Sequence, residues 1–411
     1  MISGVQHPQV KTQENVTVYK ILVAISLIHL LNDSLQAVIP AAFPVLQQSM
    51  SLTYAQIGLL SFTLSMTSSV LQPVVGLYTD KRPTPRLLAL GMMMSMIGMI
   101  GIALAPSYLL VIFAIFFVGL GSAVFHPEGS RVAYMASGGR RGFAQSIYQV
   151  GGNAGSAMAP LLTALLFVPF GQFGAIWCTG LALLAIPVCL YVARWYQGQL
   201  DAGLFRAKPK KTVASGTAEA ANRRKIGFAI VLLVFLVFAR SWTSSGFHNY
   251  YQFYLIHDYG ISITNAQAYV FTLAVAIVVG TLVGGPLGDR VGRRNVLLVS
   301  LLGALPVTLL LPHVSLFWAY PLLFLLGVVL ASSSAATVVY AQELLPGKVG
   351  VASGLIVGLA FGLGGIGSVV LGNLADWYGL KFVMWFCSLL PLLGFLAFLL
   401  PSDRKLREMV E

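Results

Sequence analysis

Charge is what this chain has least of. Only 9% of its 411 residues are Asp, Glu, Lys or Arg, while 57% are hydrophobic and the mean hydropathy is +0.83. An average soluble domain carries about a quarter charged residues, so this composition excludes a water-soluble enzyme or binding domain. Acid is the scarcer sign: 13 Asp and Glu face 25 Lys and Arg, a formal net charge of +12. The bases sit in short clusters between apolar runs rather than along one face, which argues against nucleic acid as a partner. Cysteine is nearly absent. Cys178, Cys189 and Cys387 stand singly inside apolar runs, so there is no disulfide framework and no metal-ligand spacing. No Gly-x-x-x-x-Gly-Lys-[Ser/Thr] occurs, which argues against driving any process by nucleotide hydrolysis within this chain. No His-Glu-x-x-His or Gly-x-Ser-x-Gly occurs either, so an embedded hydrolase is not expected, nor a bound cofactor. The run Gly362 to Gly367 spells Gly-x-Gly-x-x-Gly, but no strand precedes it; glycines at such spacing in an apolar segment serve close helix packing.

Long apolar runs are what the chain does have. Twelve of them can cross a hydrocarbon core that needs about 20 helical residues. They lie at roughly 19–46, 54–78, 87–105, 108–135, 142–168 and 174–196, then 226–256, 263–288, 295–311, 316–343, 349–376 and 381–400. The expected fold is an all-α membrane protein of two six-helix halves, 19–196 and 225–400. A polar N-terminal tail (1–18) lacks the basic-apolar-small order of a cleavable signal. A basic linker (197–224) and a short C-terminal tail (401–411) complete the chain. Lys81, Arg82, Arg86, Arg140, Arg141, the linker bases, Arg290, Arg293, Arg294, Lys348, Arg404, Lys405 and Arg407 fall on one side, against Lys381 on the other. The positive-inside rule then puts both termini in the cytoplasm.

The two halves repeat each other. Gly285-Pro286-Leu287-Gly288-Asp289-Arg290-Val291-Gly292-Arg293-Arg294 is echoed by Gly76-Leu77-Tyr78-Thr79-Asp80-Lys81-Arg82, at an offset of 285 − 76 = 209 residues. Gly142-Phe143-Ala144-Gln145-Ser146 is echoed by Gly350-Val351-Ala352-Ser353-Gly354, at 350 − 142 = 208. Two unrelated landmarks at one spacing indicate internal structural repeats, the usual architecture of secondary transporters. This loop pattern resembles the signature of the major facilitator superfamily, which falls between helices 2 and 3 and again between 8 and 9. The resemblance assigns Asp80, Lys81, Gly285, Asp289, Arg290, Arg293 and Arg294 to conformational gating. The first copy is degenerate, with Pro83 where the pattern has Gly.

Ionisable groups inside apolar spans are costly and therefore candidates for function. Span 1 carries Ser26, His29, Asp33 and Gln36 on one helical stripe, and a mid-membrane Asp33 is suited to bind and release protons. Span 4 ends in Phe125-His126-Pro127-Glu128-Gly129-Ser130-Arg131. His126 is a candidate for proton coupling and substrate contact, whereas the Glu128–Arg131 pair fits either gating or substrate contact. Span 7 carries Arg240, Ser244, His248 and Tyr251 at helical spacing, and a permanently charged guanidinium there suits an anionic substrate. Gln36 and Gln149 are further substrate candidates.

Ile25 to Asp33, Leu71 to Asp80, Val124 to Arg131, Met135 to Arg140 and Tyr340 to Gly347 further resemble the branch of the superfamily that exports fosmidomycin, a small phosphonate antibiotic, across the bacterial inner membrane. That resemblance implies proton-driven antiport. Typical drug–proton antiporters carry an Arg four residues before a span-4 Gly; here Ile115 precedes Gly119. Proton coupling would then need other groups, for which Asp33, His29 and His126 are the candidates. A proton-coupled importer of a polar metabolite is the alternative, and a receptor or scaffold would gain little from these buried ionisable groups.

Single cysteines at Ser49 and Ala214 in a cysteine-free variant should respond oppositely to an impermeant thiol reagent applied to intact cells. Ser49 should be labelled and Ala214 protected; the reverse pattern would overturn the topology.

Overall fold

The computed structural model describes residues 16–138, 140–202, 220–345 and 349–410. Most of the N-terminal tail and linker, and Lys348, fall outside the described residues, as do the side chains of Asp80, Gly285 and Asp289. The described chain is helical, with no strand among the described residues. The first half comprises α1 (Tyr19–Ala41), α2 (Tyr54–Lys81), α3 (Leu87–Leu104), α4 (Tyr108–Met135), α5 (Arg141–Leu162) and α6 (Ala175–Asp201). The second comprises α7 (Ala220–Ser245), α8 (Ile263–Val291), α9 (Arg293–Leu302), α10 (Leu316–Leu344), α11 (Val349–Tyr378) and α12 (Leu380–Leu389). Helix α7 continues through a wider π turn at Gly246–Tyr250 into Tyr251–Tyr259, and α12 continues as a 3-10 helix, Leu390–Leu399. A short helix, α13 (Asp403–Val410), follows.

Ten described stretches are long and apolar enough to cross a membrane. One of them, Phe143–Asp201, holds both α5 and α6, and α11 is a further long helix, so the order is consistent with twelve crossings. The starts of α2 and α8 are 263 − 54 = 209 residues apart, and those of α5 and α11 are 349 − 141 = 208 apart. The sequence repeat is thus also a repeat of helices. Proline marks the break at the end of the first rod: α1 ends one residue after Pro40, and the short helix Phe43–Met50 restarts with Pro44 in its first turn. All three cysteines are buried packing residues.

Small residues set the spacing of α1 and α5. A methyl group on Gly151 would strike Ser26, one on Gly152 would strike the His29 ring and the Asp33 carboxylate, and one on Gly155 would strike the Leu30 carbonyl. Side chains at these positions would push α5 off α1, so glycine there brings the two backbones together. Ser26 donates to the Ile147 carbonyl at 2.8 Å, and Ser34 donates to the Gly155 carbonyl at 3.1 Å, across the same seam.

The halves meet at the face opposite the two signature loops. Every cross-half hydrogen bond recorded among the described residues lies there. Gln252 donates to the Pro40 carbonyl at 2.9 Å and Gln267 to the Ala41 carbonyl at 3.0 Å. Asn249 donates to Ser61 at 3.0 Å and to Ser368 at 2.8 Å. The tightest lock is at the start of α2, whose first amides have no partner within their own helix. Thr53 and Gln56 form a capping box that serves the third helical amide and the Thr53 amide. The first two, on Tyr54 and Ala55, donate to the two carboxylate oxygens of Asp376 on α11, each at 2.8 Å.

Replacing Asp376 by Asn removes a charged acceptor worth about 1.5–3 kcal/mol, which should shift the halves toward opening at this face roughly ten- to a hundredfold. A cysteine at Ser61, buried at the same junction, reports the shift by its rate of maleimide labelling from that face. Unchanged labelling would show that the Asp376 cap does not hold the halves together.

Candidate functional site

The first polar centre forms where α1, α4 and α5 converge. His29 Nε2 lies 3.2 Å from Asp33 Oδ2, one turn along α1, and His126 Nε2 approaches Asp33 Oδ1 from α4 at 3.5 Å. Asn32 donates to the same Oδ1 at 3.0 Å. The His29 ring stacks on Tyr148 of α5 at 3.9 Å and stands edge-on to His126 at 5.1 Å. His29 is buried, while Asp33 and His126 remain 18% and 22% accessible.

Hydrogen-bond roles in this cluster are constrained. His29 Nδ1 sits 2.7 Å from the Tyr148 carbonyl, which can only accept, so Nδ1 carries a hydrogen. A neutral His29 then presents a bare Nε2 lone pair to Asp33. A carboxylate also offers only lone pairs, and two acceptors do not sit stably at 3.2 Å. The contact needs one proton, held by the imidazole or by the carboxyl. The nitrogen and oxygen atoms of His29, Asp33 and His126 lie within 4.8 Å of one another, a spacing that a cation would accept.

The second centre lies in the other half. Arg240 of α7 donates through Nη1 to the hydroxyls of Ser333 and Ser334 of α10, at 3.2 and 3.1 Å. Among the described residues no carboxylate pairs with it. Asp33 is engaged by His29, His126 and Asn32, so the acid and the base occupy separate sites rather than one ion pair. Ser244 and His248 follow Arg240 along the same rod, but the π turn at Gly246–Tyr250 re-phases what comes after it. Tyr251 is buried in an aromatic cluster, its ring 5.8 Å from Phe247 and 6.0 Å from Tyr254, and it is not gathered with Arg240. Gln36 accepts a hydrogen bond from Ser122 of α4 at 2.6 Å, and Gln149 is exposed on α5.

The Glu128–Arg131 pair is committed within the first half. Glu128 is fully buried with Oε1 3.6 Å from Arg131 Nη1. Arg131 also donates to the carbonyl and the hydroxyl of Thr79, at 2.5 and 3.2 Å, and to the Tyr196 hydroxyl at 3.4 Å. It thereby ties α4 to α6 and to the end of α2, beside the first signature loop. In the second half Arg293 pairs with Glu343 at 2.8 Å, while Lys81 and Arg290 are exposed.

Sequence reasoning missed Tyr148, Ser333, Ser334 and Asp376. Three successive serines, Ser332 to Ser334, inside an apolar span were a signal for the second centre, and an Asp near the end of span 11 was one for the cross-half cap. Tyr148 acts through its backbone carbonyl and ring face, which no sequence pattern marks.

The family model for the Major Facilitator Superfamily matches residues 25–366 and 233–409. An uncharacterized MFS-type transporter of Bacillus subtilis (strain 168), YfnC, is 55% identical over 392 residues, 95% of each chain. The fosmidomycin resistance protein of Escherichia coli (strain K12) is 47% identical over 388 residues, 94% of each chain. Among solved structures, a bacterial homolog to the human lysosomal transporter Spinster aligns at a TM-score of 0.70 with 18% identity, covering 96% of this chain and 93% of that one. The nucleoside transporter NupG aligns at 0.70 with 13% identity, covering 95% and 98%. The twelve-rod order, the repeated signature loop and these matches agree: the chain belongs to the major facilitator superfamily and is a multi-pass membrane transporter rather than an enzyme.

Proposed function

We propose that this transporter exports fosmidomycin-like phosphonates, or other small anionic or polar drugs, in exchange for protons moving inward through alternating access. The observation that carries the reading is Arg240: a guanidinium deep in a membrane helix, held by two serine hydroxyls and, among the described residues, by no carboxylate. An uncompensated charge in such a place is costly, and an anion docking against it relieves the cost. A guanidinium also matches phosphonate oxygens in fork geometry. Identity of 47% to a fosmidomycin resistance protein supports the choice of phosphonate.

The proton pathway in this reading runs through Asp33, His29 and His126. The proton required between His29 and Asp33 is the one exchanged as the site faces alternate sides of the membrane, with His126 as its relay on the more accessible side. With the signature loops and both termini cytoplasmic, the sealed face is periplasmic, so this arrangement is the one that takes up drug from inside. Glu128 with Arg131 and Arg293 with Glu343 act as gating pairs, holding the ends of the helices that flank the signature loops.

Transport in inverted vesicles tests the two centres separately. Removing a charged hydrogen-bond partner from a buried site costs roughly 2–5 kcal/mol, so Arg240→Ala should weaken phosphonate binding about thirtyfold to several-thousandfold. Arg240→Lys keeps the charge but loses the fork and should fall between. A well-folded Arg240→Ala protein that binds phosphonate as tightly as the parent would rule out the assignment.

Asp33→Asn cannot hold the exchanged proton. It should abolish gradient-driven accumulation while leaving phosphonate binding to the purified protein near the parent value. Accumulation by this variant against a gradient would remove Asp33 from the proton pathway. Proton-gradient-driven accumulation of phosphonate inside inverted vesicles supports export; accumulation only in right-side-out vesicles favours the importer.

A further inference from the structure

The polar notch between the start of α9 and the start of α13 is unused by either centre. Its end near the second signature loop encloses about 220 Å³ and is lined by Arg294, Asn295, Ser402, Asp403 and Arg404, with Val291 and Gly292 at its edge. From Asn295 an apolar groove of about 460 Å³ continues down the outer surface along Leu298, Val299, Leu302 and Gly303, with Phe398 of the following 3-10 segment as its other wall. Val299 and Phe398 are 59% and 56% exposed, so this wall faces the surrounding bilayer. One residue, Asn295, lines both, so the charged notch and the apolar groove adjoin at that side chain.

Charge in the notch is unbalanced in a specific way. The Asp403 carboxylate is turned onto the start of α9, accepting from the Arg293 amide at 2.6 Å and the Arg294 amide at 3.2 Å. The Arg294 guanidinium is fixed by the carbonyls of Ala397, at 3.3 Å, and Phe398, at 2.5 Å, and lies 6.0 Å above the Phe398 ring. Carbonyls and a ring face orient a cation without cancelling its charge, and among the described residues no carboxylate pairs with Arg294. The side chain is therefore a fixed positive point at the head of an apolar channel.

The geometry points to a binding site for one anionic phospholipid, its phosphate at Arg294 and an acyl chain along the groove between α9 and the Phe398 segment. A lipid fits where a free phosphate does not, because the groove continues about eight residues along α9, roughly 12 Å of helix, with no polar group for a soluble anion to use. Basic pockets between membrane helices on the side of the charged loops hold anionic headgroups by the same electrostatics. Bound there, the lipid bridges the signature-loop end of α9 to the C-terminal helix.

Native mass spectrometry of the full-length protein released from nanodiscs of phosphatidylglycerol and phosphatidylcholine tests this directly. The parent should retain phosphatidylglycerol over phosphatidylcholine by about tenfold, and Arg294→Gln should reduce that preference about fivefold. Val299→Trp, which fills the groove without touching a charge, should lower retention of both lipids. Lys381→Gln, on the opposite face, serves as the control and should change nothing. Equal retention of the two lipids by the parent, an unaltered preference in Arg294→Gln, or an equal loss in Lys381→Gln would each overturn the site. So would displacement of the lipid by millimolar inorganic phosphate, which would show that the groove contributes no grip.

Discussion

A charge buried under a bilayer must be met by an opposite charge or by oriented dipoles, because little water reaches it to do the same. Most of this molecule's polar interior follows from that constraint. Asp33 is met by two imidazoles and an amide, Glu128 by Arg131, and Arg293 by Glu343. Each of these is settled within one half, so a half can move as a body without breaking them. Arg240 is the exception, met only by two hydroxyls among the described residues. In the proposed function this unsettled charge has a use: the cargo would complete it, and the free energy of completion would be available only while cargo is bound.

The separation of acid and base into different halves bears on how coupling can work. Had Arg240 and Asp33 formed one ion pair, proton and anion would compete for each other's partner directly. Here each centre is tied to its own scaffold, Asp33 to α1, α4 and α5, Arg240 to α7 and α10. In the proposed antiport they would communicate through the relative position of the two halves. Coupling in that reading depends on which faces of the bundle are sealed, which makes the cross-half contacts part of the proposed mechanism.

Much of the fold was legible in the sequence because an apolar run of bilayer length is a one-dimensional signal. The predicted spans 54–78, 108–135 and 263–288 became Tyr54–Lys81, Tyr108–Met135 and Ile263–Val291. The i to i+4 relation of His29 and Asp33 was legible for the same reason, since both lie on one helix. What joined them was not: His126 arrives from α4, and Tyr148 from α5 across a seam that Gly151, Gly152 and Gly155 keep close. Tyr251 was placed on the same helical face as Arg240 by counting 3.6 residues per turn, and the π turn between them shifts that count. Contacts between helices and departures from ideal winding are both three-dimensional, and neither leaves a periodic trace.

The repeat makes the asymmetry of the seal informative. Helix α8 is the repeat mate of α2, starting 209 residues later, yet the two N-termini are capped differently. The start of α8 is served by its own Ser262, which accepts from the Asn265 amide. The start of α2 also has its own cap, Thr53, but it takes a second one, Asp376, from the other half. Counting back 208 residues from Asp376 gives Val168, which has no charge to offer α8. Among the described residues, the α2 corner thus takes a carboxylate cap from the other half, whereas the α8 corner reaches across only through the neutral Gln267 amide. The Asp376 cap adds to the other hydrogen bonds that hold the far face shut, and in the proposed function its few kcal/mol can be offset by binding energies of the size expected for an anion at Arg240. A second cap of this kind would add a similar cost and bias the molecule more strongly toward one state. One-sided capping keeps the two states within reach of each other, as alternating access requires.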